Sequence, residues 1–253
     1  MLEQKDPASP TRHAPIPALR QYFSDERARR AFLDRLFDGT ARDYDFVERL
    51  LAFGSGSWYR RQALQRSGLA SGMRVLDIAT GTGLVAREAI ATVGPTGLVL
   101  GLDPSAGMLE EARQLPMPLV RALGEKLPFP EASFDFVSMG FALRHVADLD
   151  ALFSEMRRVL KPGGTACVLE ITYPKRPVAA VPMRLFMTQV VPMAAWGRRR
   201  RDAARSLMRF YWDTIEACVP PAEVLASLSR AGLSNPARTL ILGMFSEYVA
   251  RKT

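Results

Sequence analysis

The chain has 253 residues, 48% of them apolar and 24% charged, with a formal net charge of +8. That length and composition suit one α/β domain carrying an added cap, and exclude a disordered or fibrous chain. The charge favours anionic surroundings such as phospholipid headgroups or nucleic acid, and says nothing about fold.

The first 20 residues hold Pro7, Pro10, Pro15 and Pro17 without the apolar run of a signal peptide, and read as a mobile tail. A single domain then spans 21–253. Its first part, 21–70, reads as a helical cap: Phe32, Leu33, Leu36 and Phe37 recur at helical spacing, Gly54-Ser55-Gly56 breaks the pattern, and 58–67 resumes it. From Met73 the pattern changes. Residues 75–78 form a short apolar run entering a glycine turn, followed by a helical stretch at 84–93. A turn at 94–97 leads into a second run, 98–102, which ends in Asp103. Helical 109–114 precedes two further strands at 119–122 and 134–139. The amphipathic helix 150–160 stops at Lys161-Pro162-Gly163-Gly164, and 165–171 is a fifth strand. Residues 172–222 interrupt the alternation as a helical insertion on the substrate side. A helix at 223–231 and two closing strands near 238–242 and 246–251 follow. Apolar strands alternating with helices require crossover connections. The expected fold is therefore α/β, a Rossmann-like seven-stranded, mostly parallel sheet with helices on both faces.

The most apolar stretch, 178–196, contains Pro182, Pro192 and Arg184, which argue against a membrane span. The chain is expected in the cytoplasm, soluble or associated with a membrane surface. Two cysteines and two histidines fall short of the clustered ligands of a structural zinc site, so no metal is expected.

Chemistry concentrates at Asp77-Ile78-Ala79-Thr80-Gly81-Thr82-Gly83. Small residues and glycines let backbone approach a ligand, and the loop opens into a helix N-terminus. Gly81-x-Gly83-x-x-Ala86 formally satisfies a dinucleotide pattern, with Asp103 about twenty residues on to hold a ribose. A lone match of that kind is weak, and Asp77 argues for a different cofactor. An acid before the turn has nothing to pair with on NAD, whereas S-adenosylmethionine carries an ammonium and a sulfonium and no phosphate. A plain glycine turn with a capping acid is the bland alternative.

The segments VLDIATGTG, GLDPSAGMLEEAR, GEKLPFPEASFDFV, GFALRHVADLD and RRVLKPGG resemble the class I methyltransferases. More narrowly, with Phe37-Asp38, Tyr44-Asp45 and Trp58-Tyr59-Arg60, they resemble the ubiquinone/menaquinone C-methyltransferases of the UbiE/Coq5 type. The resemblance implies that Thr82 and its neighbours Ala79, Gly81 and Gly83 hold the methionine part of the cofactor, with Asp77 behind them. It implies Asp103 on the ribose, with Pro104 next to it, and Met108 on the adenine. Leu123, Gly124 and Glu125 would lie at the adenine edge, Gly140 at the sulfonium end, and Tyr44 over the cofactor from the cap. Three positions depart from the pattern: Leu123 replaces a polar residue, and His145 and Glu48 each replace Asn.

Arg144 and His145 follow the fourth strand at the carboxyl edge, where open sheets bind ligands. A histidine suits proton acceptance near neutrality, and an arginine suits phenolate stabilisation. The alternative is structural: Arg144 pairs with an acid such as Asp148, and His145 packs on the next helix. Met183, Phe186, Met187, Val190 and Ala194 share one helical face and offer a pliable apolar substrate pocket, or else a core helix. Arg198, Arg199, Arg200 and Arg201, continued by Arg205 and Arg209, form a basic stripe fitted to an anionic membrane or simply to solvent. No aromatic platform accompanies it, so nucleic acid is a poor partner. A homodimer is left open.

The expected function is methyl transfer from S-adenosylmethionine to a ring carbon of an apolar quinol or phenolic acceptor. An O- or N-methyltransferase of a small natural product is one alternative, and a non-catalytic cofactor-binding homologue is another.

Overall fold

A computed structural model describes residues 14–16, 19, 21–174, 177–195 and 197–253. Helix α1 (Glu26–Leu51) is opened by Asp25, whose carboxylate accepts the Ala28 amide at 2.8 Å. Helix α2 (Gly56–Arg66) completes the cap. The body then alternates β1 (Arg74–Ile78), α3 (Leu84–Val93), β2 (Leu98–Asp103), α4 (Ala106–Ala112), β3 (Leu119–Arg121) and β4 (Phe134–Gly140). A single 3-10 turn (Leu143–His145) leads to α5 (Leu149–Val159) and β5 (Leu160–Ile171). The insertion supplies α6 (Pro177–Leu185), a π-turn (Phe186–Val190), α7 (Val191–Ala194) and α8 (Arg198–Ala217). Helix α9 (Pro221–Arg230), β6 (Ser234–Ile241) and β7 (Phe245–Arg251) close the chain.

The strands order as β3-β2-β1-β4-β5-β7-β6, with only β7 antiparallel to its neighbours. The strand order reverses between β1 and β4, which sets the ligand crevice at their carboxyl ends. One sheet face buries Leu76, Ile78 and Val137 against α5 and α9 residues such as Phe153 and Leu228. The other buries Val75 and Phe136 against Leu64 of α2 and Ala89 of α3.

Cap and insertion, 120 residues apart in sequence by the gap from Leu51 to Ile171, share a third core. Val47, Met187, Val191, Phe210 and Trp212 are buried in it, with Phe32, Leu33 and Tyr44 packed against them. The two segments therefore act as one helical roof over the carboxyl edge of the sheet.

Three expectations need correction. Pro15, placed in the loose tail, is buried, and its carbonyl accepts the Val219 amide at 2.8 Å; residues 1–13 lie outside the described ones. The turn at 161–164 is drawn into β5, because Gly163 and Gly164 pair with the backbone of Lys252. The face of Met183, Phe186, Met187, Val190 and Ala194 is not continuous. Pro192 has no amide to give the Thr188 carbonyl, the chain widens into the π-turn, and the Val191 amide reaches back to the Phe186 carbonyl. That extra residue per turn rotates Val190 outward, where it is half exposed.

Candidate functional site

Strand β1 delivers Asp77 to the loop but keeps it underneath. The side chain is fully buried, and its two oxygens accept the hydroxyls of Ser138 (2.6 Å) and Thr80 (2.7 Å). Burial pushes its pKa up to about 6. Asp77 therefore props the loop from below and does not line the cavity. The direct pairing with a cofactor cation expected from sequence is replaced by a charge acting from beneath.

Above it the loop turns sharply, with Ala79 (φ 52°), Gly81 (φ 58°) and Gly83 (φ 90°) all left-handed. At Gly83 a side chain would also meet Leu115 Cδ1 at 2.4 Å, so backbone geometry and packing both require glycine there. The Gly81 amide donates to Asp103 Oδ2 (2.9 Å) and the Ser105 amide to Oδ1 (2.8 Å), so Asp103 ties the loops that follow β1 and β2 together. Burial pushes this carboxyl up to about 6 as well.

The roof is fastened to these loops by acids of α1. Asp38 accepts the Ser105 hydroxyl (2.5 Å) and the Gly107 amide (2.9 Å), and Asp45 accepts the Thr82 hydroxyl (2.5 Å). Asp38 and Asp45 stand two helical turns apart, on one face. Asp45 thus covers the first turn of α3, where a dinucleotide would place its pyrophosphate. A carboxylate there opposes phosphate and suits a cationic amino group.

A cavity of about 420 Å³ opens beneath the roof. Of the residues expected from sequence, Tyr44, Ala79, Gly81, Asp103, Pro104, Met108, Leu123, Glu125, Gly140 and His145 line it. Its chemistry fits S-adenosylmethionine: a buried carboxylate for ribose hydroxyls, and apolar Met108, Ala122 and Leu123 for a flat base. Glu125 has one oxygen committed to the Ala147 amide (2.6 Å). Gly124 is buried in the turn instead, where a side chain would strike Leu152 and Ile78. Thr82 and Gly83 shape the loop without reaching the cavity.

On the reacting side, the structure separates Arg144 from His145. Arg144 is fully buried outside the cavity, ion-paired with Glu170 and bonded through Nε to Thr214 (3.3 Å). The acid expected for it, Asp148, instead caps α5 by accepting the Asp150 and Ala151 amides. The Arg144 guanidinium lies 5.4 Å from the centre of the Tyr211 ring. His145 faces the cavity between Phe37 (centroids 5.2 Å) and Phe210 (5.5 Å), and neither of its ring nitrogens has a hydrogen-bond partner among the described residues. Burial, then Arg144 and Arg29, hold its pKa well below 6.5, so the ring is neutral at physiological pH.

Tyr211, on α8, was not anticipated. Its hydroxyl lies 2.9 Å from that of Tyr44, and both line the cavity. The available signal was the run Phe210-Tyr211-Trp212, three aromatics that cannot all face one way on a helix. Met183, Phe186 and Met187, expected around substrate, pack in the roof core instead. Phe186 stacks on exposed Phe53 at 4.9 Å. None of these three lines the 420 Å³ cavity, nor does Val190.

A sheet of this order, with a ribose-ready acid at the end of β2 and a carboxylate over the start of α3, defines an S-adenosylmethionine-dependent methyltransferase of the Rossmann-like class. Solved structures share the fold. A SAM-dependent methyltransferase from Aquifex aeolicus matches with a TM-score of 0.57 at 20% identity, over 77% of this chain and 89% of its own. A Haemonchus contortus phosphoethanolamine N-methyltransferase, in complex with S-adenosyl-L-methionine, gives 0.63 at 18%, over 88% and 60%. The ubiE/COQ5 methyltransferase family model matches residues 24–239, and the chain belongs to that family. A Hahella chejuensis protein named ubiquinone/menaquinone biosynthesis C-methyltransferase is 36% identical over 63% of this chain and 67% of its own length. A Staphylococcus aureus demethylmenaquinone methyltransferase is 34% identical over 68% and 73%.

Proposed function

We propose that this enzyme methylates a ring carbon of an apolar quinol or phenol, of the kind its relatives' names describe. The observation that carries the reading is a group of polar side chains that line the cavity together with Phe37, Phe141 and Gly140: the Tyr44–Tyr211 hydroxyl pair and neutral His145. S-adenosylmethionine, held by Asp103, Met108 and the Asp77–Gly83 loop, supplies an electrophilic methyl.

The residues must align a ring carbon with that methyl at about 3–3.5 Å and exclude water. They must also stabilise negative charge on the ring oxygen as carbon becomes nucleophilic. A bonded pair of hydroxyls uses one proton internally and keeps one to donate. Burial pushes both tyrosines above their usual value, so they serve as donors and not bases. His145, neutral and flanked by aromatic rings, accepts the acceptor's hydroxyl proton as a hydrogen bond. As the ring rearomatises, the proton displaced from the ring carbon returns to the ring oxygen, and the hydroxyl proton taken by His145 reaches solvent when product departs. Arg144, under the Tyr211 ring, positions that tyrosine.

Incubation with S-adenosylmethionine and a short-chain demethylnaphthoquinol is expected to yield a ring-methylated product by fragmentation mass spectrometry. A methyl ether or an N-methyl product would overturn the carbon assignment. Tyr211→Phe is expected to lower kcat about 100-fold, as loss of an oxyanion donor does, with S-adenosylmethionine affinity unchanged. Because the His145 pKa is depressed, its neutral form persists from pH 8 down through 6.5 and is lost only as pH falls further. The kcat measured at saturating cofactor should be flat over that window; an acidic limb centred at 6.5 or above rejects the role.

The acceptor's apolar character also makes sense of peripheral contact with an anionic membrane through the stripe that begins at Arg198–Arg201. Arg201, Arg205 and Arg209 of that stripe are exposed. The side chains of Arg198, Arg199 and Arg200 lie outside the described ones. No helix among the described residues is long and apolar enough to cross a membrane.

A further inference from the structure

A second cavity, of about 500 Å³, lies on the roof and shares no lining residue with the first. The end of α6 and the π-turn contribute Arg184, Leu185, Thr188 and Gln189; α8 contributes Arg205, Arg209, Trp212 and Asp213, one helical face; Gln21 completes the rim. Three guanidinium groups therefore face one carboxylate. That carboxylate, Asp213, is already engaged by the hydroxyl of Tyr22 (2.5 Å) and the amide of Gln21 (3.2 Å). Arg205 makes only a loose 3.8 Å contact with Asp202, both ends more than half exposed. No acid among the described residues lies within ion-pair distance of Arg184 or Arg209. Trp212 is 2% exposed, yet its indole Nε1 has no partner, an arrangement buried indoles usually avoid.

The cavity's rim is also the start of an apolar ridge. Leu185 belongs to both. It is 55% exposed, and Val178, Val181 and Met193 on the same α6–α7 unit are exposed at 85%, 62% and 72%. Exposed aliphatic side chains beside arginines in excess over nearby carboxylates fit an amphiphile whose anion and chain lie side by side. A nucleic acid would ask for exposed aromatic platforms, and the tryptophan here is covered.

We propose that this cavity binds the headgroup phosphate of an anionic phospholipid, with the α6–α7 ridge entering the acyl region beside it. Arg184, Arg205 and Arg209 hold the phosphate oxygens, with the covered Trp212 ring as part of the cavity wall. This deepens the membrane contact proposed above by giving it a defined lipid site, and it does not depend on which acceptor is methylated.

The test is vesicle flotation of the full chain with phosphatidylcholine alone and with added phosphatidylglycerol, together with titration by soluble glycerol phosphate and by inorganic phosphate. The chain should float only with phosphatidylglycerol, and glycerol phosphate should displace it saturably. Losing two arginine contacts at an anionic surface corresponds to a partition about thirtyfold lower for Arg184→Gln/Arg209→Gln. Val181→Asp/Met193→Asp should abolish flotation while leaving glycerol phosphate binding intact. Binding of free phosphates without flotation makes this a soluble-anion site and overturns the lipid assignment. Unchanged flotation of Arg184→Gln/Arg209→Gln overturns the cavity, leaving only a diffuse basic surface. Turnover of a water-soluble acceptor by the same double variant should match wild type, so failure of the lipid site and failure of the methylation reading are seen separately.

Discussion

Asp103→Ala is expected to weaken S-adenosylmethionine binding about 100-fold or more, the largest loss of affinity for any single side chain of the cavity. A hydrogen bond to a charged acceptor contributes about 1.5–3 kcal/mol, and a ribose offers two hydroxyls. The alanine would also free the Gly81 and Ser105 amides, which Asp103 now holds at 2.9 and 2.8 Å, so the cofactor loop loses its tie to the second strand. Calorimetry with S-adenosylmethionine and S-adenosylhomocysteine at pH 7.5 measures this, and a loss under about fivefold would reject the ribose role. The wild type offers an independent check. With the free carboxyl pushed up to about 6, affinity should be highest above that value and fall as pH drops through it. Binding to the ionised form near pH 6 should release protons, visible in buffers of different ionisation enthalpy.

The same shift affects stability with a definite sign. Asp77 and Asp103 both have folded values raised from 3.8 to about 6. Their contribution is therefore complete below the unfolded value and is lost as pH rises through about 6. The cofactor-free enzyme should lose stability across that interval, and S-adenosylmethionine should restore it. The buried acids are held at a cost that a cationic ligand offsets.

Much of this was legible in the sequence, for identifiable reasons. Apolar strands such as 75–78, which contains Asp77, and 98–102, followed by Asp103, carry their role locally, since the strand, the turn and the carboxylate are contiguous. The roof could not be read that way. Its halves meet only through the packing of Phe32 and Val47 against Phe210 and Trp212, and no periodicity records which two helices share a core. Asp38 and Asp45 were visible only as family-like dipeptides, because their partners Ser105 and Thr82 lie 67 and 37 residues on. The substrate face failed for a different reason. A period of 3.6 was extended through Pro192, where a missing amide inserts an extra residue in the turn.

Arg144→Ala is expected to destabilise the fold by about 3–5 kcal/mol, the usual consequence of leaving a buried partner charge unpaired. Glu170 is 2% exposed, sits at the end of β5, and receives the Ile171 amide at 2.7 Å besides Arg144. Burial already outweighs the arginine and raises the Glu170 pKa, so without Arg144 the carboxyl would take up a proton or water would enter. For a domain of this size the loss corresponds to a thermal midpoint lower by roughly 6–20 °C. A fall in turnover of this variant at 37 °C would therefore not identify a catalytic arginine. Arg144→Met/Glu170→Gln separates the two effects, because removing both charges together spares the unpaired-ion penalty and should recover most of the stability. If Arg144 acts through Tyr211, whose ring lies 5.4 Å from its guanidinium, the double variant keeps its S-adenosylmethionine affinity but still shows a reduced kcat. Combining it with Tyr211→Phe should then add little further loss, since both changes disable the same hydroxyl. Full additivity of the two losses would show that Arg144 does not act through Tyr211. A stability loss under about 1 kcal/mol in Arg144→Ala would show the pair with Glu170 to be unimportant.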